Sequence, residues 1–291
     1  MAVRSRRQAM EWSLVLVSQG IETSISQPAE DGAGWTLLVD AADYERALKA
    51  LRQYHLENRG WPWRQPLRWP ETKFDWVSLA WAGLLIGFHW FGAGRPGLRD
   101  AGILDSAAVY SGQWWRIFTA MILHADLAHL AGNLSIGVLL FGLAMGRFGT
   151  GTGALAIFLA GAGGNCASLA IHDKSLHGLG ASGMVMGALG LLAAQSLHPM
   201  GHNGGSWKGR WSGLAAGLML FALYGLAPGT DIAAHFGGLM TGLGIGAVLV
   251  YLPVWFCRSA KINFANGMIL VVLIVTTWWL ALTNLNINRN L

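Results

Sequence analysis

A serine set among small residues, Gly180-Ala181-Ser182-Gly183, opens one apolar, glycine-rich run, and a histidine, His235, lies near the start of another. A hydroxyl beside an imidazole is the minimum for nucleophilic acyl transfer. The imidazole titrates near neutrality, so it can take the hydroxyl proton and return it to a leaving group. Such chemistry also needs donors for the oxyanion that develops on the attacked carbonyl. His129 and Asn133 are four residues apart at the start of a further apolar run, so they share one helix face. Their N–H groups can join the Ser182 backbone N–H in that task. Taken alone, Ser182 is as good a helix cap as a nucleophile, and His235 is as good a packing histidine as a base. The case therefore depends on the elements that carry them.

Those elements belong in a membrane. Of 291 residues, 53% are apolar and only 12% charged, about half the charge of an average soluble chain, with mean hydropathy +0.42, 40 glycines and 15 tryptophans. The net charge of +5 suits cytoplasmic membrane flanks and points to no nucleic-acid partner. Cys166 and Cys257 fall in or beside apolar runs and suggest no disulfide framework. The first apolar run, 12–17, is too short for a signal-peptide core.

Seven apolar segments near bilayer length follow residue 73: 74–91, 127–148, 152–171, 182–197, 211–226, 232–252 and 267–285. Lysines and arginines favour an amino terminus inside and a carboxy terminus outside, with Arg59, Arg64, Arg68, Lys73, Arg147, Lys208, Arg210, Arg258 and Lys261 on the cytoplasmic side. The second, fourth and sixth segments then start at the outer face. His129 and Asn133, Ser182, and His235 thereby come to one depth from three segments distant in sequence. Glycines supply a reason for close approach: Gly238, Gly242 and Gly246 recur every four residues beside His235, and Gly183, Gly187 and Gly190 form a stripe bordered by Ser182.

Ahead of the membrane region, residues 1–58 read as a small soluble α+β domain. The expected elements are a mixed helix or strand over 8–18, strands over 22–27 and 35–39, and an Asp40-capped helix over 41–58 with Tyr44, Leu48, Leu51 and Tyr54 on its apolar face. The expected arrangement is an α-β-β-α sandwich. Residues 59–73, rich in tryptophan and proline, form an interfacial linker, 74–252 a six-span catalytic core, and 253–291 a seventh span and tail.

Four motifs in register, Trp115-Arg116, His124-x4-His129-x3-Asn133, Gly180-Ala-Ser182-Gly183 and Ala234-His235-Phe-Gly237-Gly238-x3-Gly242, resemble the rhomboid family of intramembrane serine proteases. The resemblance implies an all-α polytopic bundle of six core spans plus a seventh. It implies a Ser182–His235 dyad without a third acid, an oxyanion hole of His129, Asn133 and the Ser182 N–H, and a first loop embedded in the membrane that carries Trp115-Arg116. It implies transmembrane protein substrates, no metal or other cofactor, and a bacterial inner membrane with the first domain in the cytoplasm, with an organelle membrane left open as the alternative. Oligomeric state is left open. One departure stands out: four residues after the serine the family often has an aromatic that packs on the histidine, and this chain has Met186.

Other polar residues have plainer readings. Asp231, one turn before His235, is a third triad member or, more simply, the cap of its helix. His124 is read as a structural hydrogen-bonder, Arg116 as the clasp of the long loop 92–125, His172 and His177 as residues of a wet loop, and Trp278-Trp279 as lipid-facing. The turn 227–230 lies over the site. No His-Glu-x-x-His helix supports a zinc protease, no Asp or Glu in the interior of the spans an aspartyl one, and no repeated halves a transporter. The rival is a rhomboid-like pseudoenzyme that binds membrane proteins without cutting them.

Overall fold

The computed structural model describes residues 1–3, 5–26, 35–58, 73–172, 176–195, 207–226 and 229–289. The linker over 59–70 and two residues of the turn over 227–230 lie outside them. The chain divides into two compact units, Met1–Arg68 and Trp69–Leu291.

The first unit has strand β1 (Ala2–Val3), helix α1 (Arg6–Ser18), strands β2 (Thr23–Ser26) and β3 (Trp35–Val39), and helix α2 (Tyr44–Glu57). The sheet is antiparallel in the order β1-β3-β2, with Ala2 opposite Thr36 and Ser24 opposite Leu38. The expected two-stranded sandwich thus gains an edge strand too short to show a period-2 pattern, and 8–18 resolves as helix. Ser5 caps that helix by accepting from the Gln8 N–H at 3.2 Å. Asp40 caps a single 3-10 turn, Ala41–Asp43, before α2 begins. Alternation on β3 buries Leu37 and exposes Leu38. Leu37 joins Leu16, Ile21, Ala47 and Leu51 in the core, each large aliphatic contributing about 1.5–3 kcal/mol. Ala47 takes the place expected of Tyr44, which is exposed.

The second unit is a helical bundle: α3 (Val77–Ala93), α7 (Leu127–Phe148), α8 (Thr150–Ile171), α9 (Ser182–Ala194), α10 (Trp207–Gly225), α11 (Ile232–Tyr251) and α13 (Ala260–Arg289). Short α12 (Val254–Arg258) joins the last two. Four of these, α7, α8, α11 and α13 over Ala260–Leu285, are long and apolar enough to cross a membrane, and α3, α9 and α10 contribute shorter apolar stretches. This is an integral membrane protein. The first loop is folded, with α4 (Pro96–Gly102), β4 (Leu104–Asp105), α5 (Ser106–Tyr110) and α6 (Arg116–Thr119). β4 pairs with β5 (His177–Gly178), tying this loop to the residues that lead into Ser182.

Lipid is as apolar as leucine, so burial cannot drive these helices together, and close packing must. At the α9–α11 crossing an added Cβ would fall 2.3 Å from the Gly183 carbonyl if placed on Gly238, and 2.0 Å from the Gly187 carbonyl if placed on Gly242. From the other side, a Cβ on Gly190 would lie 2.2 Å from the Leu239 carbonyl. α8 joins them, with Gly164 equally tight against the Ala234 carbonyl. Three backbones are thus in direct contact around the centre.

Two segment boundaries differ from expectation for a visible reason. α3 starts at Val77, not 74, because Lys73 and Phe74 run as extended chain over Gly142 and Gly146 of α7. α13 starts at Ala260, seven residues early, because its first turns carry polar side chains that are used. Asn263 accepts from the Gly151 and Thr152 N–H groups at 3.1 and 3.2 Å, capping α8 from another helix, and Asn266 donates to Thr152. Trp278 is buried against Phe88 and Gly102, not lipid-facing, whereas Trp279 is exposed.

Candidate active site

Three helix starts carry the candidate residues, and local capping sets each. Asp126 caps α7 by accepting from the His129 N–H at 2.8 Å, which fixes the turn that presents His129 and, one turn on, Asn133. Asp231 caps α11 by accepting from the Ala234 N–H at 2.9 Å, and its other oxygen receives the Ser168 hydroxyl of α8. Of the two readings of Asp231, the geometry is that of a cap. Gly180 has φ +129, in the region that favours glycine, and turns the chain into α9. A Cβ there would lie 2.7 Å from His129 Nε2, so the glycine also makes room for that ring. Ser182 is then the first residue of α9, where backbone N–H groups lack intrahelical acceptors and the helix end is partially positive.

Ser182, His235, His129 and Asn133 line one cavity of about 740 Å³, which Met186, Asp231 and His172 also line. Asn133 is buried, and its Nδ2 has no hydrogen-bond partner among the described residues. An unpaired buried donor costs about 1–3 kcal/mol, and here it stands beside the serine-bearing turn. His235 is 2% exposed and its Nδ1 lies 2.7 Å from the Gly225 carbonyl. Among the described residues no hydrogen bond joins Ser182 to His235. Catalytic contacts often tighten only when substrate is bound. The glycine crossing described above begins one residue after Ser182 and three after His235, so both residues sit at the head of that close α9–α11 contact.

Trp115 and Arg116 lie outside this cavity's lining. Arg116 holds the first loop, donating to the carbonyls of Asp100 and Ile103 at 2.9 and 2.7 Å and to Gln113 at 2.7 Å. Burial lowers its pKa from the usual arginine value, against the opposing charges of Asp105 and Asp100. Trp115 packs beside the cluster of Leu123, Leu130 and Ala181. The His124 ring lies edge-on to His129, centres 5.3 Å apart. Burial, and secondarily His129, lowers its pKa to about 4, so it is neutral. His177 is exposed and paired with Asp105 at 3.5 Å, within the short β4–β5 pairing. His172 faces Ser168 and lines the cavity.

Residue-type reasoning passed over Asp126, although an acid three residues before His129 at the head of an apolar run is a legible capping signal. It also passed over Ser168, which is fully buried and bonded to Asp231. The Gly225 carbonyl gave no signal, because a main-chain atom leaves no trace in residue type.

Residues 111–252 match the family described as Rhomboid domain. The chain is 34% identical over 161 residues to RHOMBOID-like protein 6, mitochondrial, of Arabidopsis thaliana, covering 54% of this chain and 50% of that one. It is 29% identical over 168 residues to RHOMBOID-like protein 5 of the same plant, covering 56% and 52%. Against Rhomboid protease GluP of Bacillus subtilis it is 29% identical over 154 residues, covering 51% and 28%. The chain spans about half the length of the first two relatives. The matched domain runs from the first loop to the end of α11 and contains all four cavity residues. By its motifs, its bundle and this match, residues 111–252 form a rhomboid domain.

Proposed function

We propose that this chain is an intramembrane serine endopeptidase that cuts transmembrane proteins near the outer face of the membrane. The observation that carries the reading is the convergence of Ser182, His235, His129 and Asn133 on one cavity, with the Asn133 Nδ2 unpaired among the described residues. Ser182 Oγ attacks the scissile carbonyl while His235 takes its proton. The oxyanion is held by His129, Asn133 and the Ser182 N–H at the positive end of α9. Collapse expels the amine, protonated by His235, and leaves an acyl-serine. Water entering from the cavity repeats the sequence and frees the acid. No metal or other cofactor takes part. The substrate is a membrane helix with small residues at the cut and a locally unstable backbone, because a regular helix shields its own carbonyls.

Residues 1–58 lie in the cytoplasm, 59–73 form the interfacial linker, 74–252 the catalytic core, and 253–291 a seventh span that places the carboxy terminus outside. The membrane is a bacterial inner membrane. The distribution of lysine and arginine argues for this orientation, while the relatives divide between a Bacillus protease and a mitochondrial plant protein. Labelling by a serine-directed fluorophosphonate in detergent tests the chemistry. Labelling of the unmodified chain that disappears in Ser182→Ala is the expected result. Labelling independent of Ser182, or none, would leave a family member that binds without cutting.

A further inference from the structure

His235 has two ring nitrogens, and the mechanism above uses one. The other, Nδ1, meets the Gly225 carbonyl at 2.7 Å in a buried setting. A carbonyl has no proton to give, so Nδ1–H donates and the lone pair resides on Nε2. Gly225 ends α10, so its carbonyl is among those the helix leaves without an intrahelical partner, at the partially negative end of the helix. The contact is braced. Phe221, one turn earlier on α10, packs edge-on against Phe236, the residue after His235, with ring centres 6.2 Å apart. The Phe221 ring also fills the space beside Gly225, and the Thr230 hydroxyl reaches the same carbonyl at 3.5 Å.

We propose that the Gly225 main-chain carbonyl is the positioning group for His235, doing from the end of α10 what a carboxylate does in a three-membered serine triad. It fixes the proton on Nδ1, turns Nε2 toward the serine, and stabilises the imidazolium that forms when Ser182 loses its proton. The proposal rests on the protease reading. Asp231 is committed elsewhere, with its two oxygens on the Ala234 N–H and the Ser168 hydroxyl. The base is therefore ready only when the last turn of α10 is seated on the first turn of α11.

The test uses the full chain in detergent, labelled with nitrogen-15 histidine, with the His235 signals identified by their loss in His235→Gln. The expected spectrum of the unmodified chain has a protonated Nδ1 and a bare Nε2. Replacing Leu226 by its α-hydroxy analogue turns the Gly225 carbonyl into an ester, a weaker acceptor. Fluorophosphonate inactivation should then slow about ten- to thirtyfold at saturating reagent, with reagent affinity unchanged. The Nδ1 proton should also redistribute toward Nε2. The same ester placed between Ala222 and Leu223 perturbs α10 equally and should change neither. A reactive chain whose His235 is protonated on Nε2, or whose Leu226 ester matches the control, overturns the proposal. An unmodified chain that the reagent does not label overturns the protease reading itself, and the positioning role with it.

Discussion

At the scale of single residues, Ser182, His235, His129 and Asn133 share one cavity. Asn133 carries an amide whose Nδ2 has no hydrogen-bond partner among the described residues, beside a turn that favours glycine. Asn133→Ala should slow turnover by about 10²–10³, the usual effect of losing one oxyanion donor, with substrate affinity little changed. Steady-state kinetics check this, and an unchanged rate removes Asn133 from the oxyanion hole. His124 makes a prediction about pH. Its pKa falls from 6.5 to about 4 on folding, so the folded chain binds that proton less readily than the unfolded one. Neutral His124 is compatible with the fold above pH 6.5, and stability drains away as pH falls from there toward 4, by up to about 3 kcal/mol. Thermal unfolding in detergent across that window should show the slope, and His124→Asn should flatten it. An equal slope in the variant would assign the effect to another group.

At the scale of elements, the helix crossing rather than any side chain sets Ser182 and His235 on one cavity. Gly242→Leu should force α9 and α11 apart, since even a Cβ would lie 2.0 Å from the Gly187 carbonyl. Lost activity with a stability loss above about 3 kcal/mol is expected, beyond the usual cost of overpacking because backbone must move. Gly244→Ala on the same helix is the control: nothing lies within 4 Å of its Cβ, so stability should hold or rise slightly. Normal stability of Gly242→Leu would refute the packing account. Asn263→Ala should cost about 1–2 kcal/mol by uncapping α8 from afar, measured as a lower unfolding temperature. These elements also show what the sequence discloses. The glycine period of four on α11 announced a tight face, and the second span, expected over 127–148, is observed over Leu127–Phe148. The start of α13 was not legible, because Lys261, Asn263 and Asn266 look like loop residues until their partners on α8 are known. Trp278 looked lipid-facing for the same reason, since its partners Phe88 and Gly102 come from distant elements. Strand β1 is two residues long and has no periodicity to read.

At the scale of the whole molecule, a cavity with polar lining residues opens among apolar helices, and on the proposed reading water and a peptide carbonyl meet there. The long first loop contributes by its folding: Arg116 clasps it to the Asp100 and Ile103 carbonyls, and β4 pairs with the strand leading to Ser182. The central claim concerns hydrolysis within the membrane, so its most direct test is cleavage in a bilayer. The purified chain and its Ser182→Ala variant, matched in fold by thermal unfolding, are reconstituted in liposomes with a panel of single-span proteins bearing small residues near the outer face. The account predicts that the unmodified chain cuts at least one of them within or beside its span, and that Ser182→Ala cuts none. Cleavage that persists undiminished in Ser182→Ala would contradict it.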